Sequence, residues 1–248
     1  MNSWRLVACS PLHDGFATPQ RFVPFLLRMS PPSGRASRVN SSDGNEHSNG
    51  SGAVIVAGDI PVPPPPDAIR ELADACIRFV ERAIGVKLDY QPETLPLLDH
   101  YLEQGRATSA GRQELLVVLA HSTGAYFGEL VRRRYSSWWR MSGDDPSAWQ
   151  IELEQVYLAF NPVQIVADGL LRGGDEEADD IARFELEEAD REALAARLAE
   201  LPNVSDAEFY SLSTRLEVID IAVDAIRARR MAVGEGDAVL RPEDYERD

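Results

Sequence analysis

Cysteine and histidine are scarce in this 248-residue chain: two cysteines, Cys9 and Cys76, and four histidines, His13, His47, His100 and His121. Two thiols build neither a disulfide framework nor a thiolate metal cluster, and a reducing cytoplasm is the expected compartment. Positive charge is short as well. Acids number 41 against 25 bases, a formal charge of −16. Such a surface repels nucleic acid and anionic membrane, so neither is expected as a partner. No run approaches the roughly 18 consecutive apolar residues of a membrane span. Leu6-Val7-Ala8-Cys9 has the outline of a lipoprotein cleavage site. Too little chain precedes it for a charged region plus an apolar region of about 7–15 residues. Zinc-ligand spacings, Gly-x-Gly-x-x-Gly, a P-loop and His-Glu-x-x-His are all missing, so neither a metal nor a cofactor is expected.

What is present suits a globular protein: 44% hydrophobic and 27% charged residues, in a chain long enough to bury a core. Residues 1–62 read as a low-complexity, unstructured tail. Arg21 to Arg38 is rich in Arg, Ser and Pro, Asn40 to Gly52 is polar, and Pro63 to Pro66 form an extended spacer. Residues 63–173 read as an α+β domain. Asp67 is placed to cap a first helix whose apolar stripe is Ile69, Leu72, Ala73, Cys76, Phe79, Val80 and Ala83, with Gly85 as its stop. A second helix starts between Pro92 and Leu95 and ends at Gly105. A third, about 110–135, follows Ser109 and carries Ala120, Gly124 and Gly128 on one face, where another backbone can approach closely. Trp138 to Met141 reads as a strand. Trp149, Ile151 and Leu153 alternate as a second, and Val156, Leu158 and Phe160 resume on the opposite parity after a bulge or tight turn at Glu154-Gln155. Asn161-Pro162 then opens a helix as cap and first residue.

Gly173 to Asp180 reads as an acidic linker, and residues 174–233 as an acidic antiparallel helical hairpin packed on the domain. Glu187 to Leu201 forms one arm. Ser205 and Glu208 make a capping box for the other, whose seam is Phe209, Leu212, Leu216, Ile219, Val223 and Ile226. From Gly173 onward 22 acids face 9 bases, a net of −13. Residues 234–248 read as a frayed tail. The fold expected is therefore α+β, with helices on a small antiparallel sheet followed by a helical hairpin.

Leu115 to Gly124, with Ala120-His121-Ser122-Thr123-Gly124 at its end, resembles the strand and nucleophile elbow of the α/β-hydrolases. A serine hydrolase-like enzyme using Ser122 is accordingly the alternative function. It lacks its base, because that family supplies the histidine after the serine and none of the four lies downstream of His121. Inside a helix, Ser122 has a plainer role, bonding to a carbonyl one turn back. No catalytic residue is assigned.

Gly124-Ala125-Tyr126-Phe127-Gly128-Glu129, then Trp138 or Trp139, then Phe160-Asn161-Pro162-Val163 resemble a group of uncharacterised bacterial domains of unknown function. That resemblance spans about residues 111–173. It implies an α+β domain without established catalytic residues.

The leading expectation is a non-enzymatic module that binds another protein or a small ligand. Arg132, Arg133, Trp138 and Trp139, with Glu129 in reach of Arg132 or Arg133 one turn on, are its candidate binding residues. Arg and Trp are enriched at binding hot spots. The plainer arrangement divides the tryptophans between the two faces of their strand and leaves the arginines solvated or paired with the acidic hairpin.

Overall fold

The computed structural model describes residues 64–109, 112–171, 181, 183–202, 204–236 and 239–246. The expected tail over 1–62 and the acidic linker over 173–180 lie outside them. The architecture is α+β: helices packed on a four-stranded antiparallel sheet.

Helix α1 (Asp67–Ile84) starts directly after the prolines, with Pro66 in the cap position. Asp67 is not its cap. It is the first helical residue and pairs with Arg70 at 2.6 Å. Ile69, Ala73, Cys76 and Val80 are fully buried, whereas Phe79, at the edge of the stripe, is 36% exposed. Gly85 ends the helix in the left-handed region (φ 74°), its N–H donating to the Glu81 carbonyl.

Helix α2 (Leu95–Thr108) runs a turn past Gly105, which the sequence suggests as its end. Gly105 is a packing site instead: a Cβ there would lie 2.8 Å from Leu119 Cδ1. Helix α3 (Gln113–Arg134) begins later than Ser109 implies. Its small-residue face meets the expected close neighbours. A Cβ on Gly124 would sit 2.6 Å from Val163 Cα, and one on Gly128 would sit 2.3 Å from the Trp139 ring.

Strands β1 (Ser137–Arg140), β2 (Gln150–Leu153), β3 (Leu158–Phe160) and β4 (Phe184–Leu186) form a meander in that order. The fourth strand has no counterpart in the sequence reading, which leaves that stretch between linker and helix. Three residues in an acidic context are too short a run to show alternation. Between β3 and β4, helix α4 (Pro162–Leu171) is capped by Asn161 Oδ1, which accepts from Gln164 N at 2.9 Å.

Helices α5 (Glu188–Ala199) and α7 (Leu212–Ala232) pack against each other as the expected hairpin. The Ser205–Glu208 box is present, but the helix it opens, α6 (Asp206–Phe209), is a single turn. The chain breaks at Tyr210 and Ser211 caps α7 anew, accepting from Thr214 N at 3.1 Å. All six seam residues are still buried, and they share one core cluster with Ile69, Phe127, Ile151 and Val163 except for Phe209, which packs apart from it.

The chain end departs most from expectation. Residues 239–246 are not frayed; they lie on the sheet's outer face. Leu240 N donates to the Glu154 carbonyl at 2.7 Å, and Tyr245 is 2% exposed. The Tyr245 hydroxyl accepts from Leu158 N at 3.1 Å and lies 2.7 Å from the Leu153 carbonyl oxygen and 2.9 Å from that of Val156. Its ring stacks on Tyr157 and meets Trp138 edge-on. No periodicity announces such a strap, because one tyrosine supplies most of its anchoring. Among the described residues no helix is long and apolar enough to cross a membrane.

Candidate functional site

The five candidate binding residues do not form one surface. Glu129 and Arg132 come together inside the protein, with the half-buried Trp139 against them. Arg132 is 5% and Glu129 1% exposed, and they are joined by two 2.8 Å hydrogen bonds from Nε and Nη2. Trp139 Nε1 donates to the same carboxylate at 2.8 Å. This is a satisfied buried ion pair, the condition under which a charge is tolerated away from water.

Arg133 is exposed. Its guanidinium lies 3.5 Å over the Tyr90 ring, itself stacked on Tyr126. Burial is the main cause that pushes the Tyr90 hydroxyl up to about 12, with Arg133 opposing it. Arg134 next door makes a two-pronged pair with Asp220 of α7, at 2.8 Å for each bond.

Trp138 faces the opposite way from Trp139, because successive strand residues alternate faces. Its indole donates to Glu152 at 2.5 Å on the outer face of the sheet. Glu152 is directly across from Trp138 in the register and is 1% exposed. Arg140 Nε lies 2.5 Å from its Oε1, side-on rather than along an N–H bond. Burial holds the Glu152 carboxyl above the usual carboxylate range, while the Trp138 N–H and Arg140 act the other way. Glu185, one row further, takes the Tyr157 hydroxyl at 2.9 Å.

Ser122 sits midway along α3, not on a strand-to-helix corner. It is 2% exposed, and its hydroxyl donates to the Val118 carbonyl at 2.8 Å. Cys76 is buried on the α1 stripe, and burial pushes its thiol up to about 12, far from a thiolate at neutral pH. No group of three or more His, Cys, Asp or Glu side chains among the described residues is placed to hold a metal ion.

A concave feature among the described residues lies elsewhere. A cleft of about 460 Å³ opens between α2, α4 and the corner joining α6 to α7. Leu102, Val166, Leu170 and Leu212 supply apolar wall, and Asp99, Glu103 and Arg106 supply charge. Each element is positioned by ordinary means. Asp99 reaches from α2 to the start of α7, accepting from Leu212 N at 2.6 Å, Ser213 N at 3.2 Å and the Ser213 hydroxyl at 2.7 Å. That carboxylate fixes the α7 N-terminus against α2. Gly169 allows α4 to approach the corner: a Cβ there would lie 3.0 Å from the Tyr210 carbonyl oxygen. Arg106 pairs through Nη2 with Glu103 at 2.7 Å, while its buried Nε meets no acceptor among the described residues.

None of the cleft residues was singled out by sequence as a binding residue. Asp99, Arg106, Gly169 and Tyr210 are spread over more than a hundred residues of chain, and each looks locally like surface or turn chemistry. The chain matches no family model, no curated protein and no solved structure. The resemblance drawn from the short motifs over 111–173 therefore rests on those motifs alone.

Proposed function

We propose that the protein is a non-enzymatic binding module that holds a small molecule in the cleft between α2, α4 and the α6–α7 corner. The observation behind this reading is the cleft itself. Its volume, about 460 Å³, falls in the range of roughly 300–1,000 Å³ usual for small-molecule sites, and its wall is apolar with a few converging polar groups. The earlier candidates support this shift of attention. Glu129, Arg132 and Trp139 satisfy one another, which suits a role in the fold better than one at a partner surface. The Ser122 hydroxyl is engaged with the Val118 carbonyl, which favours binding over hydrolysis. We assign the protein to the cytoplasm on its sparse cysteine.

The test is ligand-observed NMR of the full chain against a fragment collection, repeated with Gly169→Val. That side chain would intrude between α4 and the Tyr210 carbonyl and narrow the cleft. Fragments that bind the wild type and are lost in a folded Gly169→Val protein would support the reading. Hits that persist unchanged would place binding elsewhere and discard it.

A further inference from the structure

The outer face of the sheet is covered by the chain's own end, and the cover fits it unevenly. Of residues 239–246, Leu240 and Tyr245 are buried and the others are exposed. Two anchors five positions apart therefore seat the strap. They pack with Tyr157, Ala159 and Trp138 in a small cluster of their own, separate from the main core. A backbone bond from Leu240 N to the Glu154 carbonyl completes the attachment. Pocketed side chains joined to a main-chain bond are the means by which a domain holds an extended peptide. Of the five candidate binding residues, Trp138 is the one that packs against the strap.

Shape matches here, but charge does not. The face presents Glu152 and Glu185, with Arg140 beside both. The strap carries one base, Arg241, and three acids, Glu243, Asp244 and Glu246. Burial is the main cause that holds the Glu152 carboxyl above its ordinary value, and the charges of Glu185 and Glu246 push the same way. Glu246 thus adds like charge to the face its own segment covers, which is unfavourable. A tethered segment tolerates that mismatch, because its attachment keeps it at an effective concentration of about millimolar. A free segment gains by correcting it.

We infer that the outer face of the sheet is a peptide-binding surface covered at rest by the 239–246 strap, and that the partner displacing the strap is a basic segment with a leucine and a tyrosine five positions apart. The leucine takes the place of Leu240, and the tyrosine hydroxyl takes over the bonds at Leu153, Val156 and Leu158. A base in the place of Glu246 faces Glu152 and Glu185. This surface shares no residue with the cleft, so it stands apart from the small-molecule reading.

Three dye-labelled peptides test this by fluorescence anisotropy at pH 7. The first is Val-Leu-Arg-Pro-Glu-Asp-Tyr-Glu, copied from 239–246. The second carries Glu243→Lys and Glu246→Lys, keeping Asp244 because it accepts from Arg241 N at 2.8 Å. The third is the second with Tyr245→Ala added. The receptors are the wild-type full chain and a full chain carrying Tyr245→Ala, which loosens its own strap. The basic peptide is expected to bind the variant at least about tenfold more tightly than the copied peptide does, and about tenfold more tightly than it binds wild type. Removing its tyrosine should cost about tenfold, which separates seating on the face from general attraction to a chain of charge −16. Should the variant fail to fold, amide exchange in wild type decides: saturating basic peptide should speed exchange of the Leu240 N–H, and no change overturns the inference. Equal binding of the tyrosine-free peptide overturns it, as does equal binding by wild type and a folded variant. So does the absence of binding by all three peptides. Tightest binding of the copied peptide overturns it too, and makes the strap of a second copy the fitting occupant instead.

Discussion

Glu129 and Glu152 make an instructive pair. Each is 1% exposed, and each accepts an indole N–H, from Trp139 and Trp138 respectively. Those tryptophans are neighbours on β1, so the strand delivers one indole to each face of the sheet. The carboxylates nevertheless meet different fates. Glu129 has a cation one helical turn away in fork geometry, two bonds of 2.8 Å to an arginine that is itself buried. Glu152 has Arg140 side-on at 2.5 Å, and that arginine is 35% exposed. Burial alone therefore does not decide whether a buried acid is comfortable. The geometry and dryness of its cation do, and a helical spacing of three supplies them where a cross-strand diagonal does not.

Glu129→Ala should produce the largest effect. It leaves Arg132 buried without its carboxylate and the Trp139 N–H without an acceptor, at a cost of about 3–5 kcal/mol, measured by urea denaturation. If Glu152→Ala proves equally costly, the contrast between the two acids fails. Gly124→Ala comes next, at about 1–3 kcal/mol, because its Cβ would meet Val163 backbone at 2.6 Å. The same change at Gly128 is expected to be milder, since there the obstacle is the edge of the Trp139 ring and a side chain can yield. Reversal of that order would show that α4, not the indole, is the yielding neighbour.

Tyr245→Phe probes the strap side. Removing the hydroxyl strips the partner of Leu158 N and should cost about 1–2 kcal/mol, read from the thermal midpoint. A loss near zero would mean that the ring contacts with Tyr157 and Trp138 and the Leu240–Glu154 bond hold the strap without the hydroxyl. The smallest effect concerns pH. Because burial raises the folded-state pKa of Glu152, the native protein binds that proton more tightly than the unfolded chain does. Its contribution to stability is fully present below the unfolded value and is lost as pH rises through the folded one. Between pH 4 and 7, Glu152→Gln should therefore show a flatter decline of stability with rising pH than wild type, in urea midpoints taken at half-unit steps. Parallel curves would remove Glu152 from the account.

Much of the scaffold was legible in the residues. The stripe Ile69, Ala73, Cys76 and Val80, the cap Asn161 ahead of Pro162, and the seam from Phe209 to Ile226 are local patterns. Their spacing states which side of an element is apolar. The phase change after Leu153 likewise announced a turn between β2 and β3. The arginine–tryptophan cluster was misleading because nearness in sequence across a helix end and a strand is not nearness in space. Trp138 and Trp139 part at the pleat, and Arg132 turns inward where Arg133 turns out. The cleft left no trace, since it is the meeting of Asp99, Gly169 and Tyr210 from three separate stretches.

The chain's own residues were enough to determine the helices, most of the sheet and the buried side of Cys76, because periodicity, caps and turn residues act within a few positions of themselves. Tertiary packing alone decided that Tyr245 would clamp the outer face, that the Glu129–Arg132 pair would be buried while Glu152 would meet Arg140 only side-on, and that a cleft would open beside Arg106. Those outcomes depend on which surfaces meet once α7 docks on α2 and the sheet is covered from both sides, and no local pattern encodes such long-range closure.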